Sequence, residues 1–353
     1  MAARGLACRS IASETPGVRP AHTPGTPGGR PRERAHSKVR AGFPLPPGSW
    51  SNAISGFLQD QLRVACGALN YRHIFHAGNF ADVFKHALLV PLIRGMQRKE
   101  KGFLFLDTHA GIGAYDLSSL PAGRTLEYAD GIARLWAQEN PHPVVREYVD
   151  LVRRFNRERG GTEASPRFYP GSPRLAAMLL RPQDRLALSE LHPEDHASLR
   201  EEFRRERGVG IQKIDAFSAL RAWLPPPERR ALVLIDPPYE DRDETARLHE
   251  AIAAMITHFG SATYVVWYPI TDRSGADAFK ATLRTLPLPP TLATELVIYA
   301  QERSDRLNGC GLLVLNPPWQ IAPELLSAAE ALRDALAVED GARASLDWLR
   351  EED

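Results

Sequence analysis

The sequence predicts an α/β fold built on a mainly parallel sheet, and three observations carry that prediction. Short apolar runs recur at 102–107 ("GFLFLD"), 185–190 ("RLALSE"), 209–215 ("VGIQKID"), 231–236 ("ALVLID"), 263–270 ("TYVVWYPI"), 294–300 ("TELVIYA") and 311–318 ("GLLVLNPP"). Helical stretches separate several of them, the alternation expected of strand–helix–strand units. Runs such as Ala231–Ile235 are apolar throughout, as strands covered on both faces must be. In such sheets ligands sit beyond the carboxyl ends of the strands, so the residues closing each run carry the most weight.

Composition sets the outer bounds. The 353 residues suit two domains or one large domain with an insertion. No apolar run reaches the ~18–20 residues of a membrane span. Cys8, Cys66 and Cys310 are odd in number and far apart, which gives neither a disulfide framework nor a zinc spacing and suits a reducing compartment, the cytoplasm. Residues 1–50 hold eight prolines and eight Arg or Lys against Glu14 and Glu33, so the chain's net +1 divides into +6 there and −5 elsewhere. The body advertises no global basic surface, and any RNA-binding face has to be local.

Residues 1–65 read as a disordered Pro/Gly/Arg-rich extension, because they cannot bury enough apolar surface to offset their ordering entropy. They contain no signal-peptide core. Either they are a genuine tail or the start codon is placed too early, and the second reading is favoured. A single catalytic domain is expected over 66–353, with a helical insertion at about 115–168 ("YADGIARLWAQEN", "VREYVDLVRRFNRERGG"). Ahead of the first strand, Phe80 to Ile93 has helical spacing with Asn79 as N-cap. Pro91 is expected to kink or divide that helix.

Four consecutive predicted strands close on acids: Asp107, Glu190, Asp215 and Asp236. The first runs into "DTHAGIGAY". A P-loop needs Gly-Lys-Ser/Thr, which is missing, and a dinucleotide fingerprint needs a glycine where Asp116 stands. An S-adenosylmethionine site requires only an acid and a short Gly-x-Gly turn, and a plain structural turn stays open. Glu190 has the position of a ribose-binding acid, with a solvated loop acid as the alternative. Asp215 can accept from an adenine amino group or can merely cap the following helix.

Asp236-Pro237-Pro238-Tyr239 is more specific. Methylating an exocyclic adenine amino group is difficult because the nitrogen lone pair is delocalised into the ring. Acceptors placed where its two N–H groups point favour the pyramidal geometry of attack. Asp236 offers a carboxylate oxygen, Pro237 a carbonyl pre-set by its fixed φ, and Tyr239 a plate for a flipped base. Asn316-Pro317-Pro318-Trp319 imitates the pattern. It ends the last predicted strand, far from the glycine turn, and is taken as structural.

"DPPY" after "DTHAGIG" resembles class I S-adenosylmethionine-dependent adenine-N6 methyltransferases. With "YRHIFHAGNFADVFKH" (71–86), "YPGSP", "SELHP" and "WYP", the chain from about Tyr71 to Trp319, and on through "ASLDWL", is similar to the ribosomal RNA large subunit methyltransferase J family, which methylates one adenine of 23S rRNA. The resemblance implies a Rossmann-like seven-stranded methyltransferase sheet with a helical insertion subdomain and S-adenosyl-L-methionine as cofactor. It implies that His86, His109, Ser172, Glu190, Asp215 and Asp236 line the cofactor pocket, with Ala216 where the family tends to have glycine. Asp236 is then the catalytic acceptor, Tyr71 touches the RNA, and Pro237 and Tyr239 meet the substrate base. The implied partner is 23S rRNA, met before full assembly by a monomer, without metal or membrane. A DNA adenine methyltransferase and a non-catalytic RNA-binding factor are the competing readings. His73, His76, His86 and His109 are read as hydrogen-bonding groups rather than metal ligands, and Arg72, Lys85, Arg303 and Arg306 as candidate phosphate contacts.

Overall fold

A computed structural model describes residues 73–119, 126–139, 141–239, 244–299 and 306–351. These all belong to one compact unit, Ala65–Asp353. The expected extension at 1–65, and the expectations for Tyr71, Arg72 and Arg303, lie outside the described residues.

In chain order the elements are α1 (Phe80–Gln97), β1 (Leu104–Asp107), β2 (Ala114–Asp116), α2 (Ile132–Trp136), α3 (Pro143–Glu158), β3 (Phe168–Pro170), α4 (Ser172–Leu179), β4 (Arg185–Ser189), α5 (Pro193–Glu202) and β5 (Val209–Gln212). Then follow α6 (Ala216–Trp223), β6 (Ala231–Ile235), α7 (Glu244–Phe259), β7 (Thr263–Ile270), α8 (Arg273–Leu283), β8 (Thr291–Val297), β9 (Gly309–Leu315), α9 (Ala322–Leu336) and β10 (Arg343–Arg350).

The main sheet has the order β10-β8-β9-β7-β6-β1-β4-β5. Strands β5, β4, β1, β6 and β7 are parallel, whereas β9 enters antiparallel between β7 and β8. The expected count of seven strands becomes eight, because β10 adds antiparallel to the outer edge of β8. Side chains alternate across the sheet and divide between two cores. Phe105, Leu232, Leu234 and Val314 pack under α1, α3, α4 and α9. Leu104, Val233, Val266 and Leu313 pack under α6, α7 and α8. Helices therefore cover both faces, which is why the strands read as unbroken apolar runs.

Asn79 caps α1 as expected, its side chain accepting from the Asp82 amide. Pro91 does not divide that helix, contrary to expectation: α1 runs continuously over 18 residues with nearly every one buried. Packing on all sides offsets the hydrogen bond that the proline forgoes. The insertion is present as α2 and α3, and β2 pairs antiparallel with β3 at its neck, a pairing the sequence did not suggest. No helix among the described residues is long and apolar enough to cross a membrane.

Candidate active site

The parallel register creates a notch. Asp107 aligns with Leu188 of β4 on one side and Leu234 of β6 on the other. Glu190 and Asp236 thus lie two residues beyond it, about 6–7 Å further along the strands. The chain leaves β1 toward both half-sheets at this point, the topological switch where α/β folds bind ligands.

Asp107 forms the floor and is fully buried. It accepts from Ser172 Oγ (2.6 Å) and from the His109 amide (3.1 Å). Burial pushes its pKa up to about 6, against the pull of those two donors. A carboxyl raised in the folded state contributes stability below its unfolded value near 4, and loses that contribution as pH rises through about 6. Unfolding in urea should therefore show wild type losing about 2–3 kcal/mol more than Asp107→Asn between pH 4 and pH 7.5. Parallel profiles would contradict the assignment. Burial also depresses His109 to about 4, keeping it neutral. Its Nδ1 accepts from the Asp236 amide (3.3 Å), which puts the ring proton on Nε2.

Gly111 and Gly113 have φ of +58° and +79°, so the turn after β1 uses the left-handed conformation that glycine adopts freely. Glu190 is held by the Gly111 amide (2.8 Å) and the His192 amide (2.7 Å), and burial raises its pKa against both. It is an ordered part of the notch rather than a solvated loop acid. Asp215 does cap α6, accepting from the Phe217 and Ser218 amides and from Ser218 Oγ. Ala216 opens that helix without a left-handed φ, so the missing glycine costs no strain. Carboxylates at Glu190, Asp215 and Asp236 around a neutral histidine form a set of acceptors suited in chemistry to a cationic ligand carrying a diol.

Beside the notch opens a cleft of about 490 Å³ lined by Asp82, Lys85, Asp236, Pro237, Trp267 and Arg306, among others. Lys85 corrects a sequence expectation. It is no phosphate contact but a buried cation, with Nζ 2.9 Å from Asp82 and in direct contact with Asp236. Burial alone would strip its proton, yet the two carboxylates outweigh that and hold its pKa well above the usual lysine range. Burial likewise opposes the charge on Asp82, but His73, Lys85 and His86 prevail and hold it well below the carboxylate range. Asp82 also accepts from the Gly78 amide and meets His73 Nε2, both at 3.0 Å. His86 lies buried behind this network, pushed down to about 3 by burial, with Nδ1 2.7 Å from the Tyr169 hydroxyl. His76 pairs with Glu127 at the cleft rim. Among the described residues no three side chains are grouped to hold a metal.

Pro237 and Pro238 line the cleft, whereas Tyr239 turns away from it. Its φ of +53° is uncommon for an aromatic residue. Its hydroxyl donates to the Trp267 carbonyl (2.7 Å), and its ring meets the Trp267 indole edge-on. Trp267, Tyr299 and Asp82 are cleft residues that sequence reasoning missed as site residues. Only "WYP" as a motif pointed toward Trp267. Arg306, an expected phosphate contact, stacks 3.3 Å above the Tyr299 ring at the rim. Asn316 lies at the opposite edge of the sheet, because β9 runs antiparallel to β7 and Leu315 pairs with Tyr264. Its amide ties to the Ala262 carbonyl there (3.1 Å), so Asn316 holds a turn and lies away from the cleft.

Comparison with known proteins places this geometry. Residues 100–350 match the family described as "Ribosomal RNA large subunit methyltransferase D, RlmJ". A curated relative from Escherichia coli (strain K12), named ribosomal RNA large subunit methyltransferase J, is 38% identical over 281 residues, covering 80% of this chain and 99% of its own. Its namesake from Haemophilus influenzae is 38% identical over 284 residues, covering 80% and 100%. The crystal structure of protein LPL1258 from Legionella pneumophila superposes with a TM-score of 0.69 at 33% identity, covering 77% of this chain and 98% of that one. The chain belongs to the ribosomal RNA large subunit methyltransferase J family.

Proposed function

We propose that Asp236 and the Pro237 carbonyl accept the two N–H hydrogens of an adenine amino group, with S-adenosylmethionine lying in the notch above Asp107. By family the chain is an rRNA methyltransferase, and on this reading its substrate is N6 of one adenine in 23S rRNA. The observation that carries the reading is the position of Asp236, which borders the notch on one side and the cleft on the other.

When bound, S-adenosylmethionine supplies an electrophilic methyl group on a sulfonium sulfur. Glu190 would accept hydrogen bonds from its ribose hydroxyls, Asp215 would accept from its adenine amino group, and the carboxylates would favour its positive charge. Ser172 and the His109 amide hold Asp107 in place beneath it. His109 fixes the Asp236 backbone, and Lys85 engages Asp236 Oδ2, leaving Oδ1 for the substrate amino group. A target base extruded from its RNA enters the cleft beside Trp267 and Pro237. Asp236, already bonded to an amino hydrogen, is the acceptor for the proton the nitrogen sheds. The proposed setting is the cytoplasm and the proposed state a monomer; residues 1–65 are dispensable, so their deletion should leave turnover unchanged.

Purified protein with radiolabelled S-adenosylmethionine should methylate protein-free 23S rRNA fragments and yield N6-methyladenine. Preference for duplex DNA would overturn the substrate, and calorimetry without cofactor binding would favour a non-catalytic RNA-binding factor. Glu190→Gln should weaken cofactor binding roughly 10–100-fold, since an acceptor of two charge-assisted hydrogen bonds is lost. Unchanged affinity by calorimetry would remove Glu190 from the ribose site.

A further inference from the structure

The second proline tetrapeptide is rigidly built yet ends in an indole left in water. Trp319 is 69% exposed, whereas nearly all other large apolar side chains among the described residues are covered. Its backbone is nevertheless held from several directions. Asn316, left-handed at φ +48°, bonds carbonyls of the 260–262 turn, and its own carbonyl accepts from Thr263 Oγ1 (2.7 Å). Pro318 wedges against Gly95 so closely that a Cβ there would meet it at 2.7 Å. Arg98 donates to the Trp319 carbonyl (2.6 Å). Such a mount has no use in packing a ring that touches so little.

The surroundings are basic. Arg98, Lys99 and Lys101 follow α1 and are all exposed. Arg181 joins them by donating to the Gln97 and Lys99 carbonyls. Arg230 extends the same cluster through the Met96 and Lys101 carbonyls. Arg229 stands exposed beside it. The acids present, Glu100, Asp184, Glu228 and Glu324, are fewer, and Asp184, Glu228 and Glu324 are engaged by Arg181, Arg185 and Arg98. An aromatic plate with a rim of cations is the arrangement that binds an unpaired base and its flanking phosphates. A protein partner would call for a wider apolar patch around the tryptophan than this one offers.

We propose that Trp319, with Arg98, Lys99 and Lys101, forms a second RNA-docking surface at the amino-terminal edge of the sheet, opposite the methylation cleft. The proposal rests on the rRNA reading of the cleft and adds where the rest of the RNA goes. Strands β1 and β6 separate the two sites by about 15–20 Å, about five or six base-pair steps of a duplex, so a stem-loop with a shorter stem than that reaches only the cleft.

Trp319→Ala and the double variant Lys99→Glu/Lys101→Glu would be compared with wild type on a short stem-loop and on a long rRNA fragment containing it. Trp319→Ala should raise KM and Kd for the long fragment roughly tenfold, the scale of one lost base–aromatic stack, with kcat unchanged. The short substrate should show no change, and Trp319→Phe should restore long-fragment affinity. The charge-reversal variant should lower the salt dependence of long-fragment binding by about two counterions. Equal loss on both substrates, or no loss on either, would overturn the second surface. If wild type methylates neither RNA, the rRNA reading fails instead, which separates the two outcomes.

Discussion

Replacement of Asp236 by alanine should lower kcat by at least about 10²–10³-fold, the scale seen when a group aimed at the developing transition-state charge is removed. Two effects coincide there. The amino group loses its charged acceptor, and Lys85 loses one of its two carboxylates, leaving an ammonium with Asp82 alone. Asp236→Asn separates them, since it keeps an acceptor oxygen but removes the charge facing Lys85. Its kcat should fall between those of alanine and wild type. Calorimetry with S-adenosylmethionine and thermal unfolding would show whether either variant has lost the notch itself. Turnover by the alanine variant within tenfold of wild type would end the catalytic role of Asp236.

Lys85→Met should be costly in a different currency, stability. The ammonium is buried between two carboxylates, and breaking a buried pair from one side costs about 3–5 kcal/mol because an uncompensated charge remains inside. Asp82, held well below the carboxylate range, stabilises the fold at pH values above its unfolded value near 4. That contribution disappears as pH falls through the folded value. Without Lys85 the depression shrinks, so the variant's deficit should be largest near pH 7.5 and should narrow below pH 4. Adding Asp82→Asn should recover part of the loss, as expected for residues in direct contact. Urea titrations of the single and double variants at both pH values would measure this. A Lys85→Met protein as stable as wild type at pH 7.5 would mean that the cation is not needed there.

Strand positions were legible because helices cover both faces of the sheet and leave long apolar words in the sequence. Glu190 and Asp236 were legible because parallel strands bring their carboxyl ends to one edge. Lys85 was not. Its spacing from Asp82 resembles an ordinary surface pair, and Asp236, the partner that gives it meaning, lies 151 residues away. Asp107 and Ser172 were named, yet the two-residue recess that makes Asp107 a floor exists only in the register. Tyr239 was expected in the cleft, but its left-handed backbone turns the ring toward Trp267. Asn316 was set aside for its distance along the chain, and the physical reason is the reversed direction of β9. Pro91 does not end α1 because the packing around nearly every residue supports the helix through it, which local propensity alone does not reveal.

The eighth strand has a consequence for the protein in solution. Every residue of β8 is buried, Leu292, Ala293, Leu296 and Val297 among them, so without β10 the sheet would end in a covered strand with open amides and carbonyls, a template for pairing with other chains. Strand β10 covers it and turns Arg343, Asp347 and Arg350 outward. The final strand thus serves as an edge guard against aggregation, and a chain ending at residue 341 should retain a cofactor notch yet precipitate as its concentration rises.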